Sequence, residues 1–182
     1  MIGRLQITWS TVGHEHEYIS PTWPATVTSE GSGVPAIATP YHRNGNVLEY
    51  LHRHCGAYRL NIVCQTASAL AYIHSKNVIH GNVCPVSLVG HPHLRSRLRP
   101  ITDTLSSQEN ICITDDGTVR LTDIGVNNLV LQTNHSHRYS IPSKWMYKPS
   151  EELVSAICTT QTDTYSFATT IYSVCLDLDK HN

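Results

Sequence analysis

Apolar positions along the chain change period several times, and each change marks an element. From Arg59 to Ser75, Leu60, Val63, Ala67, Leu70, Ala71 and His74 recur at helical spacing, and Asn77 supplies a residue able to close that helix. Val47 to His54 predicts a shorter helix, with Gly56 as its stop. Ile111–Thr114 and Thr118–Thr122 alternate as strands do, and Asp115-Asp116-Gly117 between them is a hairpin turn. The apolar run Thr164 to Leu176 predicts a buried helix with Asp163 near its start. Val34 to Thr39 reads as a strand, followed by the connector Pro40 to Asn46, whose Asn44-Gly45 tolerates positive φ. Ile2 to Val12 fits a short helix, while the rest of residues 1–34 is broken by Pro21, Pro24, Gly31 and Gly33. Val78-Ile79-His80 leads into a loop, and Asn127 to Pro149 is polar and irregular.

Composition narrows the class. A chain of 182 residues with 40% hydrophobic and 15% charged positions can bury a core, which argues against wholesale disorder. Lys+Arg 13 against Asp+Glu 14 gives no reason to expect a nucleic acid or a membrane surface as partner. No apolar run nears the ~18 residues of a membrane span, and MIGRLQITWS lacks a signal-peptide core, so an intracellular, cytoplasmic protein is expected. The six cysteines form no C-x-x-C pair, which points to neither a disulfide framework nor a zinc ribbon. Among 12 histidines are the H-x-H pairs His14/His16, His52/His54, His91/His93 and His135/His137. None comes with a third ligand at fixed spacing, and solvated histidines are the expectation.

Two separated stretches carry recognisable chemistry. His80-Gly81-Asn82-Val83-Cys84-Pro85 starts a loop, and Glu109-Asn110 is followed by the hairpin and Asp123-Ile124-Gly125. Removing the 23 residues Val86 to Gln108 leaves Asn82 five positions before Asn110. The rejoined stretch resembles the protein kinase family, whose H-R-D-L-x-x-x-N catalytic loop and D-F-G motif have this spacing. Valine codons begin with GT, a glutamine codon ends in AG, and Thr102-Asp103 is compatible with a branch-point sequence. A retained short intron therefore fits Val86–Gln108; the alternative is a surface insertion, which loop-closure entropy tolerates.

The resemblance extends further. Ala36 to Gly45 is similar to the last N-lobe strand and hinge, which implies that Pro40 and His42 offer a carbonyl and an amide to adenine. Trp145 to Glu152 resembles the A-P-E segment with one extra residue, and Asp163 to Ala168 resembles the start of the helix whose Asp braces the catalytic loop. The implied fold is α+β and protein kinase-like, a single partial domain over 1–182. Residues 1–41 would be the remnant of the β-rich N-lobe and hinge, and 42–182 an incomplete, mainly helical C-lobe. Segments at both ends would be missing, leaving apolar helix faces exposed.

For the site, the resemblance implies ATP and Mg²⁺ as cofactors and Asn110 and Asp123 as the magnesium-binding pair. Asn82 stands at the catalytic aspartate's position, where an amide cannot accept a proton as a carboxylate does. Gly81 replaces the loop arginine and Cys84 the loop lysine. No lysine precedes Lys76, and Gly31-Ser32-Gly33 is a turn rather than a phosphate-covering loop. The expectation is a protein kinase-like chain that is impaired or inactive. The alternatives are a non-catalytic pseudokinase that docks a protein partner, or a defective gene-model fragment.

Overall fold

The structure is a computed structural model and describes residues 2–13, 15–29, 32–85, 110–126 and 146–176. The expected insertion Val86–Gln108, residues 127–145 of the polar stretch, and the pairs His91/His93 and His135/His137 lie outside the described residues. The architecture is α+β, with two small antiparallel sheets and five helices among the described residues, consistent with a partial kinase-like fold.

The core forms around α3 (Arg59–Ser75) and the hairpin of β3 (Ile111–Ile113) and β4 (Val119–Leu121). Ile111, Ile113, Val119 and Leu121 are buried beside Ile62, Leu70 and Ile73. The hairpin pairs Ile111 with Leu121 and Ile113 with Val119. Its turn closes through Gly117 N–H to Thr114 O (3.0 Å) and Thr114 N–H to Thr118 O (2.9 Å), with Gly117 at φ 84°. Both hairpin edges are extended: Leu121 N–H donates to Tyr18 O at 2.8 Å, and Ile113 N–H donates to Gly45 O at 3.0 Å. Chain before the expected hinge and the last residue of the hinge are thereby stitched to one ribbon.

The α3 boundaries agree with the apolar spacing, but its buried face does not. Ile62, Thr66, Ala69, Leu70 and Ile73 turn inward, while Leu60 is 55% exposed and Ala71 also faces out. Thr66 is admitted to the core because its hydroxyl donates to Ile62 O at 2.8 Å. The helix ends as expected at Asn77, at φ 57°, with Asn77 N–H to His74 O and Val78 N–H to Ile73 O, both 2.9 Å. The preceding helix, α2 (Val47–Arg53), starts at Asn46, whose side chain accepts Glu49 N–H at 2.9 Å. It stops at His54, so Gly56 is not its terminator.

Near the N-terminus, α1 (Ile2–Val12) buries Leu5, Trp9 and Val12. The mixed region after it holds a strand that its sequence conceals: β1 (Trp23–Ser29) pairs with β2 (Ser32–Ala38), placing Gly33 opposite Thr28. Gly33 therefore belongs to a strand rather than to a turn. Pro24 and Pro35 are tolerated because a two-stranded ribbon consists of edges.

Past α4 (Ser150–Ser155), α5 (Thr160–Leu176) begins four residues earlier than its apolar run. Thr159 and Thr162 cap it reciprocally, each hydroxyl accepting the other's N–H at 3.1 and 2.9 Å. Its buried face is mostly hydroxylic: Thr162, Ser166, Thr170 and Ser173, with Asp163 and Val174. Tyr165, Tyr172 and Leu176 point outward, so it is not the apolar buried helix its composition suggests.

The Asn46 cap is nearly buried, and its loss removes a hydrogen bond no water replaces easily. Asn46→Ala is expected to lower unfolding free energy by about 1 kcal/mol in urea titrations, with the m-value unchanged.

Candidate active-site loop

The loop at 80–84 is held mainly by one side chain. Asp163, 1% exposed in the first turn of α5, accepts His80 N–H and Gly81 N–H at 2.8 Å each through its two carboxylate oxygens. Its Oδ2 also lies 3.0 Å from His74 Nε2 on α3. Gly81 turns the chain at φ 78°, a conformation that favours glycine.

His80 is fully buried. Its Nδ1 accepts Asn82 N–H at 3.2 Å, so the neutral ring carries its proton on Nε2. That Nε2 makes no hydrogen bond among the described residues, although the Thr122 backbone lies close enough to favour its proton. Burial outweighs the attraction of Asp163 and holds the imidazole below its ordinary pKa of 6.5.

Asn82 and Asn110, 28 positions apart in sequence, are directly bonded: Asn110 Nδ2 donates to Asn82 O at 2.6 Å. Cys84 Sγ lies 3.7 Å from Asn82 Oδ1 and 3.6 Å from Asn110 Nδ2. The main-chain oxygen of Asn110 accepts Thr122 N–H at 3.0 Å, so Asn110 and Asp123 flank the same end of the β3–β4 ribbon. Asp123 is half-buried at φ 57°, and Gly125 N–H returns to His80 O at 3.0 Å. From above, Trp9 Nε1 of α1 donates to Ile124 O at 3.2 Å. The two sequence stretches thus form one network.

Pro40 and His42 lie elsewhere. They line a cleft of about 520 Å³ with Tyr41, Ile19, Asp115 and Arg120, and this lining includes neither Asn82, Asn110 nor Asp123. No hydrogen bond among the described residues takes the Pro40 carbonyl or the His42 N–H. The His42 ring contacts Ser20 Oγ at 3.3 Å, and burial, aided by Arg120, lowers its pKa.

A Mg²⁺ ion takes oxygen ligands, commonly one or two from protein together with substrate phosphates. Asn110 Oδ1 is buried and unpartnered among the described residues, and Asp123 carries its carboxylate at the same end of the hairpin. This donor set fits the ion. Asn82 brings a neutral amide to the loop.

Sequence reading missed a second buried group beneath the loop. Lys148 pairs with Glu152, one helical turn on, and its Nζ donates to Gly81 O at 3.3 Å. Cys158 Sγ lies 3.6 Å from Glu152 Oε1 and 3.9 Å from Gly81 O. Burial, reinforced by the Glu152 carboxylate, pushes the Cys158 thiol up to about 12. The i,i+4 spacing of Lys148 and Glu152 was the available signal, but it reads equally as a solvated pair.

Residues 104–180 match the family model described as protein tyrosine and serine/threonine kinase. The match supports a protein kinase-like domain. The matched stretch contains Asn110, Asp123, Lys148 and Asp163, while 80–84 precedes it and is joined to it by the hydrogen bonds above. No curated protein matches the chain. No helix among the described residues is long and apolar enough to cross a membrane.

The titrations fix two limbs of a stability profile. His80 is depressed, so its contribution is complete above pH 6.5 and is lost as pH falls through its folded value. The unfolding free energy from urea titration should drop between pH 7 and pH 5.5, by at most about 1.4 kcal/mol per pH unit for one proton, and the drop should shrink in His80→Asn. Cys158 is raised, so its contribution is complete below pH 9.0 and is lost as pH climbs toward about 12. At pH 8, iodoacetamide should label the exposed Cys55, Cys64 and Cys175 while sparing Cys158, as read by peptide mass spectrometry.

Proposed function

We propose that this kinase-like domain retains a site for Mg²⁺ and nucleotide phosphate but transfers the phosphoryl group weakly or not at all. The observation that carries the proposal is Asn82. It sits in a loop whose supporting bonds to Asp163 and Asn110 are complete, yet it presents an amide in place of the carboxylate that accepts the substrate hydroxyl's proton.

In this reading Asn110 Oδ1 and the Asp123 carboxylate hold the metal. When bound, Mg²⁺ bridges phosphate oxygens and offsets their charge. The chain's own residues position rather than react: Asn110 fixes the Asn82 carbonyl, and Asp123 follows the strand that buries Leu121. The family also relies on an N-lobe lysine paired with a helix-borne glutamate. Helix α1, bonded to the Asp123–Gly125 turn, takes that helix's place and carries neither Asp nor Glu. The missing carboxylate supports impairment independently of Asn82.

A second reading, a pseudokinase that docks a protein partner without turnover, is favoured by outward Val154, Ile157, Tyr165 and Tyr172. Thermal unfolding with and without Mg·ATP tests the nucleotide site. Ligand at 100-fold excess over Kd should add about 2.7 kcal/mol and raise Tm by several degrees, an increment absent in Asp123→Ala. No shift in the wild-type chain would refute the nucleotide site. Robust Mg·ATP-dependent phosphorylation of a generic protein substrate, lost in Asp123→Ala, would refute the impairment.

A further inference from the structure

We propose that Lys148 is the positioning cation of the 80–82 loop, supplied by the segment before α4 in place of the cations absent at Gly81 and Cys84. The loop's own sequence, His80-Gly81-Asn82-Val83-Cys84, offers no lysine or arginine. Yet a cation is present: Lys148, 13% exposed, sits with its ammonium against Gly81 O at 3.3 Å and against the Glu152 carboxylate. Glu152 is 3% exposed, so the pair is largely withdrawn from water and must be satisfied by protein atoms. The Gly81 carbonyl is one of them.

The two polar ends of Gly81 are then held by oppositely charged side chains. Its N–H donates to the Asp163 carboxylate at 2.8 Å, and its C=O accepts from the Lys148 ammonium. Gly81 at φ 78° has no side chain to resist rotation, so these two charged contacts set the plane from which Asn82 departs. Polarity is reversed relative to a phosphate-ordered kinase loop, where an arginine captures a phosphorylated segment. Here the segment brings the cation and the loop brings the acceptor. Docking of the segment's end onto the loop therefore requires no phosphate.

The inference rests on taking 80–82 as the catalytic-loop segment, but its test does not pass through nucleotide binding. Removing Lys148 alone would strand the Glu152 carboxylate, so the informative comparison is Glu152→Gln against Lys148→Met/Glu152→Gln in the full chain. Hydrogen–deuterium exchange is followed in peptides spanning Ile79–Val83, with Val47–Arg53 as internal reference. Glu152→Gln keeps the lysine and should leave loop protection near wild type. The double variant should exchange about tenfold faster in the loop alone, the scale of a charged hydrogen bond to backbone. Equal loop exchange in the two variants overturns the proposal. If either variant fails to fold, acetic anhydride labelling of the wild-type chain decides: Lys148 should react at least about tenfold more slowly than the exposed Lys76, and equal rates overturn it. A chain with the expected exchange pattern but no Mg·ATP response would refute only the nucleotide site.

Discussion

The Asp163 carboxylate sits at 1% exposure with two backbone N–H groups and an imidazole as neighbours, and a charge so placed is stable only while all of them are in position. That requirement couples distant parts of the chain. It brings α5 against α3 through His74 and fixes the start of the loop at His80 and Gly81. The His80 carbonyl then receives Gly125 N–H, which locates the Asp-Ile-Gly turn relative to the loop. Asn110 closes the circuit by binding Asn82 from the start of the β3 strand. Removing any one contact would leave another polar group buried without a partner, so the site behaves as a unit rather than as a sum of pairs.

Elements set by local chemistry were legible in the sequence. The β3–β4 hairpin carried its turn in Asp115-Asp116-Gly117, and the end of α3 was written in Asn77, a residue that enters the left-handed region readily. Faces set by tertiary packing were less legible. Leu60 and Ala71 mark a helical stripe on α3 that turns outward, because the hairpin packs against the Ile62–Ile73 side and Thr66 hides its hydroxyl in its own helix. The same substitution of self-bonded hydroxyls for aliphatic side chains misleads on α5. Thr170 Oγ1 donates to Ser166 O and Val83 O, which makes a threonine as buriable as a valine. Strand β1 was hidden because its described side chains show no buried alternation: Trp23 and Pro24 are both exposed, Trp23 at 46%.

The residues of the candidate site divide in the same way. Asn82, Asn110 and Asp123 stand out through motif spacing, and the structure brings Asn82 and Asn110 into direct contact. Lys148 and Glu152 fall inside the Trp145–Glu152 stretch, but nothing there marked them as a buried pair, and Cys158 left no trace. An i,i+4 Lys–Glu pair is ordinary on a wet helix, and only burial turns it into a structural charge. Cys158 follows from that pair: beside a carboxylate and out of water, its thiol gains nothing by ionising.

The three departures that the resemblance of 80–84 to the kinase loop implies share one physical direction. Asn for the aspartate, Gly for the arginine and Cys for the lysine each remove a formal charge from a segment that is buried throughout, with Val83 at 0% and Cys84 at 1% exposure. A carboxylate at position 82 would face Cys84 Sγ, a weak donor, and would need a stronger partner or solvent to remain ionised. The amide needs neither. Its peptide groups are satisfied by His80 and Asn110, and its side chain is content with a thiol. A loop that holds its shape without charge gains tolerance of burial. The charges that remain nearby, Asp163 and the Lys148–Glu152 pair, are directed at the loop's backbone and hold it in place.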